Sequence, residues 1–63
     1  MSLRDVIQMA MKRELASINL YTDLAKLVTD RMARQLFKNL AEEERNHKLY
    51  FEKIWNQKVF RNN

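Results

Sequence analysis

The sequence predicts an all-α fold: an antiparallel helical hairpin, about 3–28 and 31–60, that pairs with a second copy into a four-helix bundle. Three observations carry this prediction. The 63 residues contain no Gly and no Pro, which removes the usual punctuation of sheet folds built on tight turns. Apolar residues recur at helical spacing in two blocks, separated by one candidate cap at Thr29-Asp30. Finally, Glu14, Glu44 and His47 interrupt the centres of those apolar stripes. An uncompensated charge buried there costs several kcal/mol.

The first helix opens with Ser2 and Asp5, a Ser-x-x-acid N-terminal cap. At about 100° per residue, Leu3, Ile7, Ala10, Glu14, Ile18, Tyr21, Ala25 and Val28 share one face. Arg4, Gln8, Lys12, Asn19, Asp23 and Lys26 take the opposite side. At the turn, either Thr29 or Asp30 can accept a bond from a first-turn amide. The second helix is stricter. Ala33, Phe37, Leu40, Glu44, His47, Phe51, Ile54 and Lys58 follow alternating steps of four and three, an a/d seam that Leu36 and Trp55 widen. A single helix running through residue 30 is the competing reading, but the two stripes do not line up across Thr29-Asp30. Met9, Met11 and Met32 are expected in core or boundary positions. Residues 1–63 carry no linker, repeat or low-complexity tract, so one domain is expected.

Composition narrows the function. With no Cys, disulfide frameworks, zinc knuckles and thiolate iron centres are excluded. No apolar run approaches the roughly 20 residues of a membrane span, and no signal-peptide pattern precedes the charges, so a cytoplasmic protein is expected. Below roughly 70–80 residues a lone core rarely supplies more than about 3–5 kcal/mol, and small domains add metals, disulfides or partners. Here metal and oligomerisation remain. The net charge of +4 raises nucleic acid as a partner. However, cations from Arg4 to Arg61 interleave with acids from Asp5 to Glu52, the pattern of a solvated face, and nucleic acid is not expected; a dimeric basic hairpin that binds RNA, or a structural interaction module, is the alternative reading.

Glu44 and His47 form a Glu-x-x-His pair, whose spacing aims both side chains at one point from a single turn. Folding the chain about a midpoint near 29.5 brings Glu14 to nearly the same height, roughly 22–26 Å from the turn at about 1.5 Å per residue. A two-fold axis through the centre would gather four carboxylates and two imidazoles. Carboxylates bridge divalent ions and cancel their charge, and a neutral imidazole caps an open side. Single Glu residues on two helices with Glu-x-x-His on the other two is the ligand set of ferritin-like di-iron and di-manganese bundles. Each residue also has an ordinary reading. Glu14 can snorkel to an edge, Glu44 can pair with Lys48, and His47 can be a hydrogen-bonded boundary histidine. Tyr21 can bond a ligand carboxylate or be a plain core tyrosine. Glu42 and Glu43 point away from the seam centre, with Glu43 placed to line a cation access path.

The segment Leu36-Phe37-Lys38-Asn39-Leu40-Ala41-Glu42-Glu43-Glu44-Arg45-Asn46-His47 resembles the LF-x-x-LAEEE-x-x-H second helix of the rubrerythrin and ferritin-like superfamily. Glu14 followed by Tyr21 resembles its E-x6-Y first helix. The chain holds one half-site where a full rubrerythrin or ferritin carries two, so it is more similar to two-helix encapsulated ferritins. The resemblance implies ferroxidase activity, with two Fe(II) per dimer oxidised by dioxygen or peroxide, although Mn or Zn suits the same ligands. It implies Glu44 as the bridging ligand, Glu14 and His47 as the others, and Tyr21 as a further site residue. A homodimer or larger oligomer is expected. Without Cys, a peroxidase cycle needs a separate electron donor. Storage needs a higher assembly or an enclosing shell protein, for which no docking peptide is evident after Phe60-Arg61-Asn62-Asn63.

Overall fold

The computed structural model describes residues 1–60; the end of the Phe60–Asn63 tail lies outside them. Ser2 adopts an extended backbone, and its Oγ accepts from the Asp5 amide at 3.1 Å, starting helix α1 (Leu3–Leu27). The Asp5 carboxylate lies in that first turn and Lys26 in the last, both complementing the helix dipole. The helix stops at Val28, whose ψ of 137° is extended, with the Val28 amide still donating to the Leu24 carbonyl at 3.0 Å. Helices often end on a left-handed glycine. None of the described residues has a positive φ, which is how a chain without glycine makes this turn.

Residues 28–30 form the whole connection. Asp30 is the cap of the pair that the sequence left open: its Oδ2 accepts from the Ala33 amide at 2.8 Å and starts α2 (Arg31–Ile54). The Arg34 guanidinium reaches back to donate to the Val28 carbonyl at 3.3 Å, satisfying an acceptor at the end of α1. Beyond Ile54 the chain continues as a wider π-helical turn, Trp55–Phe60. The Arg4 guanidinium sits 5.6 Å from the Trp55 ring centroid, a cation–π contact that ties the open end of the hairpin.

The two helices pack side by side into a slab 49 × 17 × 12 Å. A layer this thin buries little. Only Ile7, Ile18, Ala25 and Ala41 are buried apolar residues, and no large side chain is fully enclosed. Part of the expected seam is therefore corrected. Leu3 and Leu36 are exposed, as are Met9 and Met32, while Ala41 is buried and Lys48 half-buried in the contact. Two helices touch over only part of each apolar stripe, so residues at one edge of it are left on an open flank. Lys58 is likewise exposed, because it lies in the wider turn and not in the seam.

Loss of the single oxygen that starts α2 should be measurable. Asp30→Ala is expected to cost about 1 kcal/mol, read from urea unfolding by circular dichroism, whereas Thr29→Ala should be nearly neutral.

Candidate metal centre

Helix geometry brings the three polar interrupters together at mid-length. Glu14 faces α2 from the centre of α1, and its side chain is 17% exposed. Glu44 faces back and is 21% exposed. His47, one turn further along α2, lies on the open flank with 55% of its side chain exposed, so the expectation that it sits within the buried seam is corrected. Its Nδ1 is nevertheless 3.8 Å from Glu14 Oε2 and 3.7 Å from Glu44 Oε1. One donor atom from each residue lies within 4.8 Å of the others.

These spacings are too long for hydrogen bonds. The two His47 spacings suit donors around a shared ion, since two atoms each about 2.1 Å from one metal lie at most about 4.2 Å apart. Glu14 Oε2 gives the clearest sign of an absent positive partner: it is buried and accepts no hydrogen bond. Its surroundings push the Glu14 carboxyl pKa above the ordinary 4.5. The first cause is a hydrogen bond to Glu44, which forms only when one of the two carboxyls holds a proton. Burial and the Glu44 charge add to the rise, and His47 opposes it. A divalent cation would reverse this balance by favouring both ionised forms.

The neighbouring residues settle several alternatives. Lys48 does not pair with Glu44; its Nζ donates to Glu52 at 3.0 Å. Tyr21 stacks on Phe37, with ring centroids 6.3 Å apart and planes 18° apart, and its hydroxyl bonds to no described residue. Packing, not a bond to a ligand carboxylate, is its role in this arrangement. Glu42 and Glu43 are exposed, and Glu42 accepts from Arg45 at 3.3 Å. The sequence reading missed the separation between buried carboxylates and an exposed imidazole. The signal was available in the helical phase, because His47 falls at the edge of the stripe that Glu44 centres.

A hairpin whose carboxylates and imidazole converge in this way can hold a metal ion. A family model described as Rubrerythrin matches residues 1–55, and the chain belongs to the rubrerythrin family, whose fold is that of the di-iron carboxylate proteins. Searches of curated proteins and of solved structures return no significant match. Among the described residues no helix is long and apolar enough to cross a membrane.

The raised Glu14 pKa fixes a sign. The folded form holds its proton to higher pH than the unfolded form, so metal-free stability is greatest below 4.5 as far as this group is concerned. It falls as pH rises from there through the folded pKa. Glu14→Gln should remove that fall and leave the metal-free chain more stable than wild type at pH about 7. Urea unfolding in chelator across pH would measure it. A Gln variant less stable than wild type at neutral pH would contradict the assignment.

Proposed function

We propose that this chain is a ferroxidase-like di-iron carboxylate protein that works as a dimer of hairpins. The observation that carries the reading is buried Glu14 Oε2, which has no donor and lies beside Glu44 and His47. Two hairpins related by a two-fold axis through this midsection would supply four carboxylates and two imidazoles for two ions. The open flank supports that pairing. Val6, Leu20 and Leu36 are all exposed, and they lie on the side of their helices to which His47 is turned. A second hairpin covering this flank would bury them and enclose the imidazole.

Glu44 would bridge the ions, and Glu14 and His47 would complete each half of the site. Iron held there would supply its Fe(II)/Fe(III) couple, two electrons in all, which with two protons would carry dioxygen to hydrogen peroxide or peroxide to water. The chain's own residues prepare for this. Glu14 gives up the proton that Glu44 helps it hold, and the two carboxylates then neutralise cationic charge in a place closed to water on one side. The imidazole of His47 would offer one nitrogen to an ion and leave the other for a second partner. Tyr21 and Phe37, stacked on each other about two turns nearer the connection than the carboxylates, help fix the helix spacing on which the donor distances depend. Mn or Zn suits the same donors, and cellular supply decides between them. With no thiol in the 63 residues, sustained peroxide reduction would draw electrons from a separate protein. Retention of iron would call for a larger assembly or an enclosing shell in the cytoplasm.

Reconstitution tests the site. Elemental analysis after Fe(II) loading should approach one metal per chain, and the Glu14→Ala, Glu44→Ala, His47→Ala triple variant should retain essentially none. Aerobic Fe(II) should oxidise faster with the protein than in buffer, with His47→Ala slowing the reaction more than Tyr21→Phe. Wild-type rates equal to buffer across a range of iron ratios would remove the enzyme reading and leave metal binding. Assembly gives a separate readout. Because metal that binds only the dimer stabilises it by mass action, sedimentation velocity should show a tighter dimer with Fe(II) or Zn(II) than with chelator. A chain that stays monomeric at high concentration in saturating metal would contradict the shared site.

A further inference from the structure

On the flank opposite His47 the two helices leave a groove of about 700 Å³ near the turn. Its floor is Ala25 and Ala41, both buried. Their methyl side chains leave depth where larger residues would fill the space. Four cations surround it: Lys26 from α1, and Arg34, Lys38 and Arg45 from α2. Glu42 is the one acid in the lining, and it is already bound to Arg45 at 3.3 Å. Four of the 12 Lys and Arg residues spread along the sequence are thus gathered by the fold at one place.

Some of this charge has structural work. Lys26 complements the C-terminal end of α1, and Arg34 donates to the Val28 carbonyl. Lys38 has neither role, and among the described residues neither Lys26 nor Lys38 makes a hydrogen bond or ion pair. Like charges lining a concave surface raise its potential and concentrate counter-ions there. We propose that this groove binds a linear oligophosphate.

The layout selects that anion. Arg34, Lys38 and Arg45 run along one side of α2 over about 16 Å at about 1.5 Å per residue, further than a single phosphate can span. A chain of phosphates meets all three and Lys26 across the groove. The arginines can offer paired N–H donors to its oxygens, and the Thr22 hydroxyl in the lining adds another donor. No aromatic residue lines the groove, so it lacks the stacking platform that single-stranded nucleic acids use. Lys38 and His47 are about 180° apart around α2 at about 100° per residue. A second hairpin laid over the His47 flank therefore leaves the groove open, and the two activities can be tested separately.

Calorimetric titration of the metal-free chain with tripolyphosphate, at about 0.15 M salt to screen diffuse attraction, should show saturable binding of one anion per chain. Affinity should exceed that for inorganic phosphate by at least about tenfold, because more charge-assisted bonds form. Lys26→Glu with Lys38→Glu should lower it by at least about tenfold, with helicity and metal loading unchanged. Should that pair fail to fold, amide shift mapping on the wild type decides the matter: perturbations are expected around Thr22, Lys26, Arg34 and Lys38. Perturbations centred on Glu14 and His47 would overturn the proposal, as would undiminished affinity in a folded charge variant. Equal affinity for inorganic phosphate would also overturn it, and tighter binding of a single-stranded RNA of equal charge would do so in favour of nucleic acid.

Discussion

Two carboxylates meet at the waist of the interface between α1 and α2. That interface buries two isoleucines and two alanines. Burying an isoleucine side chain contributes about 1.5–3 kcal/mol, and an alanine considerably less. Holding an uncompensated carboxylate in a low-dielectric contact costs an amount of the same order. The packing that closes the hairpin and the charge that opposes closure are therefore comparable. In a larger domain such a pair would be a local blemish on a deep core. Here it governs whether the two helices prefer to be together.

Three agents can ease that opposition, and they act on the same atoms. A proton on Glu14 lets the carboxyls bond to each other. A divalent cation would neutralise both at once. A second hairpin, in the pairing proposed above, would add apolar contact and close the flank on which His47 is exposed. Protonation, metal and association would then be linked equilibria, because each would change the free energy of the others through the Glu14–Glu44 contact. The imidazole outside the seam fits this scheme. A partly solvated imidazole costs the fold little, whereas a third buried polar group would add to the strain on a thin layer.

The caps were legible from residue identity. Ser2 and Asp30 accept first-turn amides because short polar side chains do this wherever a helix must begin. The convergence of Glu14, Glu44 and His47 in height was also legible, since the rise per residue fixes it once the turn is placed. The azimuth of each residue was not. An a/d stripe states which residues share a face but not which part of that face meets the neighbouring helix. Leu36 and His47 lie at the edge turned away, and Met32 stands exposed beside the turn. The conformation of the connection was likewise hidden, because an extended Val28 leaves no glycine or proline mark. The i, i+4, i+11 spacing of Arg34, Lys38 and Arg45 was readable on α2 alone, whereas the approach of Lys26 from α1 was not.

The three-residue connection also bears on how the molecule forms. Closing so short a loop costs little chain entropy, and nearly all contacts lie between segments that the turn brings into register. Helices extended from the Ser2 and Asp30 caps can therefore zip together from Leu24 and Ala33 outward, meeting nothing but apolar and cationic side chains at first. Glu14 and Glu44 come face to face only about halfway along that path, after the early contacts are made. Where that contact forms after the transition state, its repulsion shortens the lifetime of the finished hairpin more than it slows its formation. A cation captured at the waist would act as a latch on unzipping, prolonging the closed state from the position where opening must pass.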